Sequence, residues 1–356
     1  MSRRRFTVTE HGRRVRFGPS ALAELPDALA ELDSTRALVV CTAGQRDLAQ
    51  AAVAVASDRV AGVFDGAVMH VPAECADLAV AHFRDRAADA VVAVGGSSST
   101  GLAKAIALRC DAPIVAVPTT YAGSEMTPVW GLTESGVKRT GREERVRPAA
   151  VLYDPKLTVS LPVPISVTSG FNAIAHAVEA SYAPDGNRFI DLLADEGVRS
   201  LLSGMPKIVA DPADSVARSD ALYGAWMCGA TLGETTMGLH HALCHRLGGA
   251  LNLPHADTHT VLLPYVLAFN AEAADRIAGV IAAALDTRDP APVALQDAAR
   301  AWGAPTSLAE LGVSQADLSR VSGALAGDYV NPRPVTGAEV TQLLRRALAG
   351  EAPTAH

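Results

Sequence analysis

The sequence predicts an α/β N-terminal domain of Rossmann-like type with a parallel sheet, followed by an all-α C-terminal domain. Three observations predict it. Through residue 155, short valine-rich runs alternate with stretches of helical period. After Asp154 nearly every segment has helical spacing and no convincing strand follows. Hydrophobic residues make up 49% of the chain but aromatics only 4%, so alanine fills much of the core, and alanine suits helices better than strand faces.

Taken in order, RFTVTEHGRRVRFG reads as a hairpin packed on a sheet edge. Its arginines, with those of the opening SRRR, form a solvated end; the apolar core or long acid-free amphipathic stretch of a targeting peptide does not follow. RALVVCTA, AGVFDGA, AVVAVGG, PIVAVPTT and AAVLYDP are apolar runs of strand length, and QRDLAQAAVAVA, CADLAVAHFRDRAAD and STGLAKAIALR between them are helical. Continuous apolar strands alternating with helices describe a parallel sheet covered on both faces. PKLTVSLPVPIS is a proline-rich connection, and helices are expected from Thr168 onward, including NRFIDLLADEGVRSLL, ARSDALYGAWMCGA, AADRIAGVIAAAL and AEVTQLLRRALAG. The expected domains are 1–158, which would bind a dinucleotide, and 159–356, which would carry the catalytic and substrate groups, with the active site in the cleft between them.

The 356 residues suffice for two domains with real cores. A net charge of −7 argues against a nucleic-acid or membrane-surface binder and leaves a small-molecule substrate. No run of 18 apolar residues exists to span a bilayer. Cys41, Cys75, Cys110, Cys228 and Cys244 are odd in number and scattered, the pattern of reduced thiols in a cytoplasm.

In VVAVGGSSSTGLAKAIAL, Gly95, Gly96, Ser97, Ser98 and Ser99 stand between a buried strand and a helix. Glycines let backbone approach a ligand closely, and the helix start offers free N–H groups to a pyrophosphate. The motif is neither GxGxxG nor a Walker loop, and a tight turn without ligand is the competing explanation. A second loop, VPTTYAGSEMTP, brings Thr119, Thr120, Ser124 and Thr127 to the end of the next strand, where nucleotides bind open sheets. The strand ALVVCTAGQ lacks an acidic residue at its end, so nothing there repels NADP(H).

Five of the ten histidines fall between residues 240 and 259, in GLHHALCHRLGGALNLPHADTHTV, and GFNAIAHAVEA adds Asn172 and His176. Asn172 and His176 are four apart, as are His241 and His245, so each pair shares a helix face. His176, His241 and His255 can converge on one wall, with His245 and His259 a turn further along. This is the geometry of a metal or acid–base site between helices. Cys244 serves either as a soft-metal ligand or as a core residue; Glu179 either orients His176 or is solvated.

The series GGSSSTGLAKAIAL, PTTYAGSEMTPVWGLTESGVKRTGR, SVTSGFNAIAHAVEA and GLHHALCHRLGGALNLPHADTHTVLLP resembles the maleylacetate reductases of the iron-containing alcohol dehydrogenase superfamily, over residues 15 to 335. The resemblance implies a dehydroquinate synthase-like fold, a homodimer, and NADH or NADPH held by Gly95, Gly96, Ser97, Ser98, Thr119, Thr120, Thr127 and Lys138. It also matches the Asp and three His that bind metal in iron-type alcohol dehydrogenases to Asn172, His176, His241 and His255. Asparagine is a weaker ligand than a carboxylate, and maleylacetate reductases are similar in carrying Asn there. The expectation is therefore catalysis without a metal.

The implied reaction is reduction of the carbon–carbon double bond of maleylacetate, or a close enone dicarboxylate, to 3-oxoadipate in aromatic degradation. On this expectation His241 and His245 donate or protonate, His176 and His255 bind or orient substrate, and Arg246 meets a carboxylate. The chain departs from the resemblance at Ala242, where Lys is frequent, at Tyr265, where His is, and at Val330, where Trp is. The alternatives are a metal-dependent alcohol or aldehyde dehydrogenase of the same superfamily and a dehydroquinate synthase-like lyase or cyclase that uses NAD transiently.

Overall fold

In the computed structural model the structure describes residues 6–10, 12–134, 137–325 and 328–354. The chain divides into two compact units, Met1–Leu161 and Pro162–His356.

The first unit is built on strands β1 (Phe6–Glu10), β2 (Arg13–Phe17), β3 (Ala37–Val40), β4 (Val60–Phe64), β5 (Ala90–Gly95), β6 (Ile114–Pro118), β7 (Val129–Glu134), β8 (Val137–Arg142) and β9 (Ala150–Tyr153). Seven of them form one sheet in the order β1-β2-β9-β6-β5-β3-β4. β1 and β2 are the antiparallel hairpin the sequence predicts, and β2 lies parallel to β9 with Val15 opposite Val151. The remaining pairings are parallel. Opening residues 1–5, with the SRRR arginines, lie outside the described residues; of the hairpin arginines expected to be solvated, Arg13 and Arg16 are instead buried, Arg13 donating to the Met126 carbonyl and Arg16 pairing with Glu24 and Glu31.

Alternate side chains of each strand feed opposite faces, as period 2 requires. Val39, Val92, Val94 and Val115 pack with helices α1 (Leu25–Ala30) and α2 (Arg46–Val55). Leu38, Val40, Val91 and Ile114 pack with α3 (Ala73–Asp85) and α4 (Ser97–Cys110). Burial on both faces is why these strands read as unbroken apolar runs. The chain leaves β3 toward the β4 edge and returns through β5 toward β6, so the strand order reverses between β3 and β5. Open parallel sheets take ligands at the strands' carboxyl ends beside such a reversal.

The β7–β8 hairpin is a feature the sequence reading did not assign. It pairs Val129 with Arg142 through Glu134 with Val137, outside the main sheet.

The second unit, among its described residues, is helical: α5 (Val163–Ala180), α6 (Arg188–Ala210), α7 (Ser215–Glu234), α8 (Leu239–Leu251), α9 (His255–Phe269), α10 (Asp275–Ala284), α11 (Ala291–Ala301), α12 (Gln315–Leu325) and α13 (Gly337–Ala349). α5 starts five residues before Thr168, inside the proline-rich connection. Pro162 caps it and Pro164 sits in its first turn, where a missing N–H costs nothing. α6 and α7 approach at backbone distance: a Cβ on Gly224 would stand 2.8 Å from the Gly197 carbonyl. Leu239, Leu243, Leu247, Val261, Leu262 and Leu343 centre a core joining α8, α9, α12 and α13.

Candidate functional site

Two clusters of polar groups are built, one in each unit. In the first, Gly95 ends β5 with φ 140°, a conformation L side chains avoid, and a Cβ there would collide with Gln45 Oε1 and Ser99 Oγ. Gly96 is the N-cap of α4 and brings no side-chain acceptor, so the first N–H groups of a fourteen-residue helix lie open beside Ser97 and Ser98. A Cβ on Gly96 would press on Thr120 Oγ1 at 2.8 Å. Thr119 accepts a hydrogen bond from Gln45 Nε2 at 2.6 Å, joining the loop after β3 to that after β6. Gly95, Gly96, Ser97, Ser98, Thr119 and Thr120 thus gather at the reversal between β3 and β5, and a backbone cradle without Cβ atoms at a helix start fits a pyrophosphate.

Gln45 was missed by the sequence reading, which searched the end of β3 only for an acid. Thr127 lies beneath the second loop, where its hydroxyl accepts from Lys104 Nζ at 2.9 Å. Lys104 also donates to the carbonyls of Ser124 at 2.8 Å and Val129 at 2.7 Å. This ammonium is buried, and burial pushes its pKa down to about 7 against the pull of Glu125. Glu125, itself raised by burial, accepts from the Tyr153 hydroxyl at 2.9 Å. Lys104 and Glu125 therefore pin the loop from below. Lys138 pairs with Thr133 through the backbone of β8; its side chain lies outside the described residues.

The second cluster draws on three helices. α5 presents Asn172, His176 and Glu179 from one face, α8 presents His240, His241, Cys244 and His245, and α9 presents His255 and His259. His176 Nδ1 meets His241 Nε2 at 2.7 Å, and His241 Nδ1 meets Glu179 Oε2 at 2.6 Å. Asn172 Nδ2 is 3.4 Å from His176 Nε2. Glu179 also accepts the backbone N–H groups of Gly238 at 2.9 Å and His240 at 2.6 Å, at the start of α8. Burial works to raise its pKa, but the bond and charge of His241 and the Gly238 amide outweigh it and hold the carboxyl below its ordinary value. Glu179 thus orients His241, across helices, rather than His176, one turn away.

His240 Nε2 bonds His259 Nδ1 at 2.9 Å, and Cys244 Sγ lies 3.7 Å from His240 Nε2. Burial, then the neighbouring His241, pushes the His240 pKa down to about 3; burial lowers His259 likewise and raises the Cys244 thiol. Cys244 belongs to the apolar core and to this polar contact at once. His245 and His255 stack at 5.7 Å and 23°, and they are the two imidazoles of the cluster only half buried. Arg246 lies 4.4 Å over the Tyr329 ring and donates to the Leu325 carbonyl at 3.2 Å.

Asn172, His176 and His241, three of the family-like metal positions, are tied to one another by hydrogen bonds. Here His176 and His241 share a hydrogen bond at 2.7 Å, and Asn172 offers a neutral amide. Among the described residues, the group of three His, Cys, Asp or Glu side chains whose ligand atoms converge, within 4.8 Å, is instead His240, Cys244 and His259.

Tyr265 and Val330, two departures from the resemblance, have structural settings. The Tyr265 hydroxyl donates to the Glu351 carbonyl at 2.8 Å and accepts from Gln296 at 2.9 Å, tying α9 to α11 and to the segment after α13. Val330 is 45% exposed.

Residues 12–155 match the family described as iron-containing alcohol dehydrogenase, and residues 166–348 match the C-terminal part of the Fe-containing alcohol dehydrogenase family. The chain is 48% identical to maleylacetate reductase 1 of Cupriavidus pinatubonensis over 98% of its length and 99% of the relative's. It is 50% identical to maleylacetate reductase of Pseudomonas sp. strain P51, covering 96% and 97%. The crystal structure of maleylacetate reductase from Agrobacterium tumefaciens superposes with a TM-score of 0.90 at 45% identity, over 98% of this chain and 99% of that one. The chain belongs to the iron-containing alcohol dehydrogenase family and, within it, to the maleylacetate reductase group.

Proposed function

We propose that this protein is an NAD(P)H-dependent oxidoreductase that reduces the conjugated double bond of maleylacetate, or a close enone dicarboxylate, to 3-oxoadipate without a metal. What carries the reading is likeness to maleylacetate reductases at about half identity over nearly the full chain, joined to an imidazole cluster closed by an amide. Gly95, Gly96, Ser97, Ser98, Thr119 and Thr120 would hold the dinucleotide, with Thr127 shaping the second loop and Lys138 lining the rest. When bound, NADH or NADPH supplies the hydride that adds to the alkene carbon β to the ketone, leaving an enolate.

The protein must stabilise that negative charge and deliver one proton to the adjacent carbon. Imidazole donors suit both tasks near neutral pH. His245 and His255, half exposed, meet the substrate, and His245 is the acid candidate. His241 and His176, buried behind them and joined at 2.7 Å, fix the wall of the cluster. Arg246, its guanidinium steadied by Tyr329, is the cation assigned to a substrate carboxylate. The balance is maleylacetate plus NAD(P)H plus a proton giving 3-oxoadipate plus NAD(P)⁺.

One observation favours a metal-dependent alternative: the His240, Cys244 and His259 group. NADH oxidation with maleylacetate, before and after chelator and beside a metal analysis, separates the two. Activity that survives metal removal is expected. Loss of activity on chelation, restored by zinc or iron, overturns the metal-free reading, and its disappearance in Cys244→Ser would place the ion.

No helix among the described residues is long and apolar enough to cross a membrane, and the five cysteines are free. A cytoplasmic setting accords with this. β1, one of the sheet's two edge strands, is the proposed seam of a homodimer, and sedimentation of the purified protein tests it.

A further inference from the structure

Counting protons along the α5–α8 array yields more than its distances do. Three contacts run in line: Glu179 to His241, His241 to His176, and His176 to Asn172. Each needs one N–H. Glu179 is an ionised, acceptor-only end, since it already takes the amides of Gly238 and His240. With both rings neutral, His241 places its proton on Nδ1 and leaves Nε2 bare, and His176, 2.7 Å from that nitrogen, places its own on Nδ1. Its Nε2 is bare in turn and faces the amide of Asn172. Two neutral imidazoles supply two of the three protons and the asparagine supplies the third.

We propose that Glu179 is a positioning residue that sets the tautomers of His241 and His176 in series, and that Asn172 ends the series as a donor. An aspartate at position 172 offers only acceptors and cannot close it with both rings neutral. Asparagine here does more than weaken a metal ligand: it completes a directed chain of hydrogen bonds in the space between the helices. The kinetic side of this proposal rests on the function proposed above; the tautomers do not.

The experiment is ¹⁵N NMR of the intact, ligand-free protein labelled at histidine, with His176 and His241 assigned by single replacement. The expected wild-type result is a protonated Nδ1 and a bare Nε2 on both rings. Asn172→Asp replaces the end donor with an acceptor, so the three contacts then need a third ring proton while Glu179 keeps the one on His241 Nδ1. One imidazole of the pair is expected to become doubly protonated. A wild-type His176 protonated on Nε2, or a folded Asn172→Asp protein whose two rings keep the wild-type ¹⁵N shifts, overturns the proposal. Should that variant fail to fold, the wild-type spectrum decides alone. In turnover, Glu179→Gln should lower kcat on the order of 10²-fold, with KM for NADH within about twofold, because the imidazole wall and not dinucleotide binding is disturbed. Expected tautomers with no activity on maleylacetate would remove the substrate reading and leave the series standing.

Discussion

Gly95 and His240 each turn a local geometry into a measurable quantity. Gly95→Ala forces a side chain into a left-handed backbone already crowded by Gln45 and Ser99. It should cost about 1–3 kcal/mol of stability and weaken NADH binding, readable as a lower Tm and a shallower fluorescence titration. His240 titrates near 6.5 when unfolded and at about 3 when folded, so the folded state refuses a proton that the unfolded chain accepts. The stability this group confers is whole above pH 6.5 and is lost as pH falls from there toward 3. His240→Asn should flatten that acid limb by about one proton in urea midpoints measured against pH. The two spacings of four, Asn172 with His176 and His241 with His245, were legible because helix period alone decides them. The pairing of Glu179 with His241 was not, because it depends on how α5 lies against α8. Gln45 was hidden for a similar reason: its partner Thr119 is 74 residues away.

Among the elements, α6 and α7 give the clearest mechanical test. Their backbones touch at Gly197 and Gly224, so Gly224→Ala has no space to fill and must part the helices. A loss of about 1–3 kcal/mol is expected in thermal or denaturant unfolding, the ordinary cost of overpacking. The buried strands β3, β5, β6 and β9 were readable because burial on both faces leaves no polar interruption. β7 and β8 were not, because they carry charges and glycines, and their sheet has only two strands. Trp130 lies across Gly141 in that hairpin, a cross-strand contact that spacing along one strand does not reveal. The start of α5 was masked by its prolines, which read as a connection although the first turn of a helix tolerates them.

At the scale of the whole molecule, the proposed dinucleotide loops and the proposed imidazole cluster fall in different compact units, and substitutions should sort accordingly. His245→Ala is expected to abolish most turnover while leaving NADH affinity within about twofold. Gly96→Ala should do the converse, raising the NADH dissociation constant while the imidazole cluster keeps its acid titration. A His245→Ala protein that no longer binds NADH would refute this division. Fold class followed from composition and period and the reaction class from the resemblance; the contacts of the imidazole cluster did not, because they form where three helices meet. The hydroxyl of Tyr265 has a practical corollary. It and Gln296 both end on the Glu351 carbonyl, so the segment just after α13 acts as a clasp on the helical unit. Trimming the chain to Gly350 should leave the buried Tyr265 O–H without its acceptor, and tags or linkers that tug on this end should register as lost heat tolerance well before they touch any reacting atom.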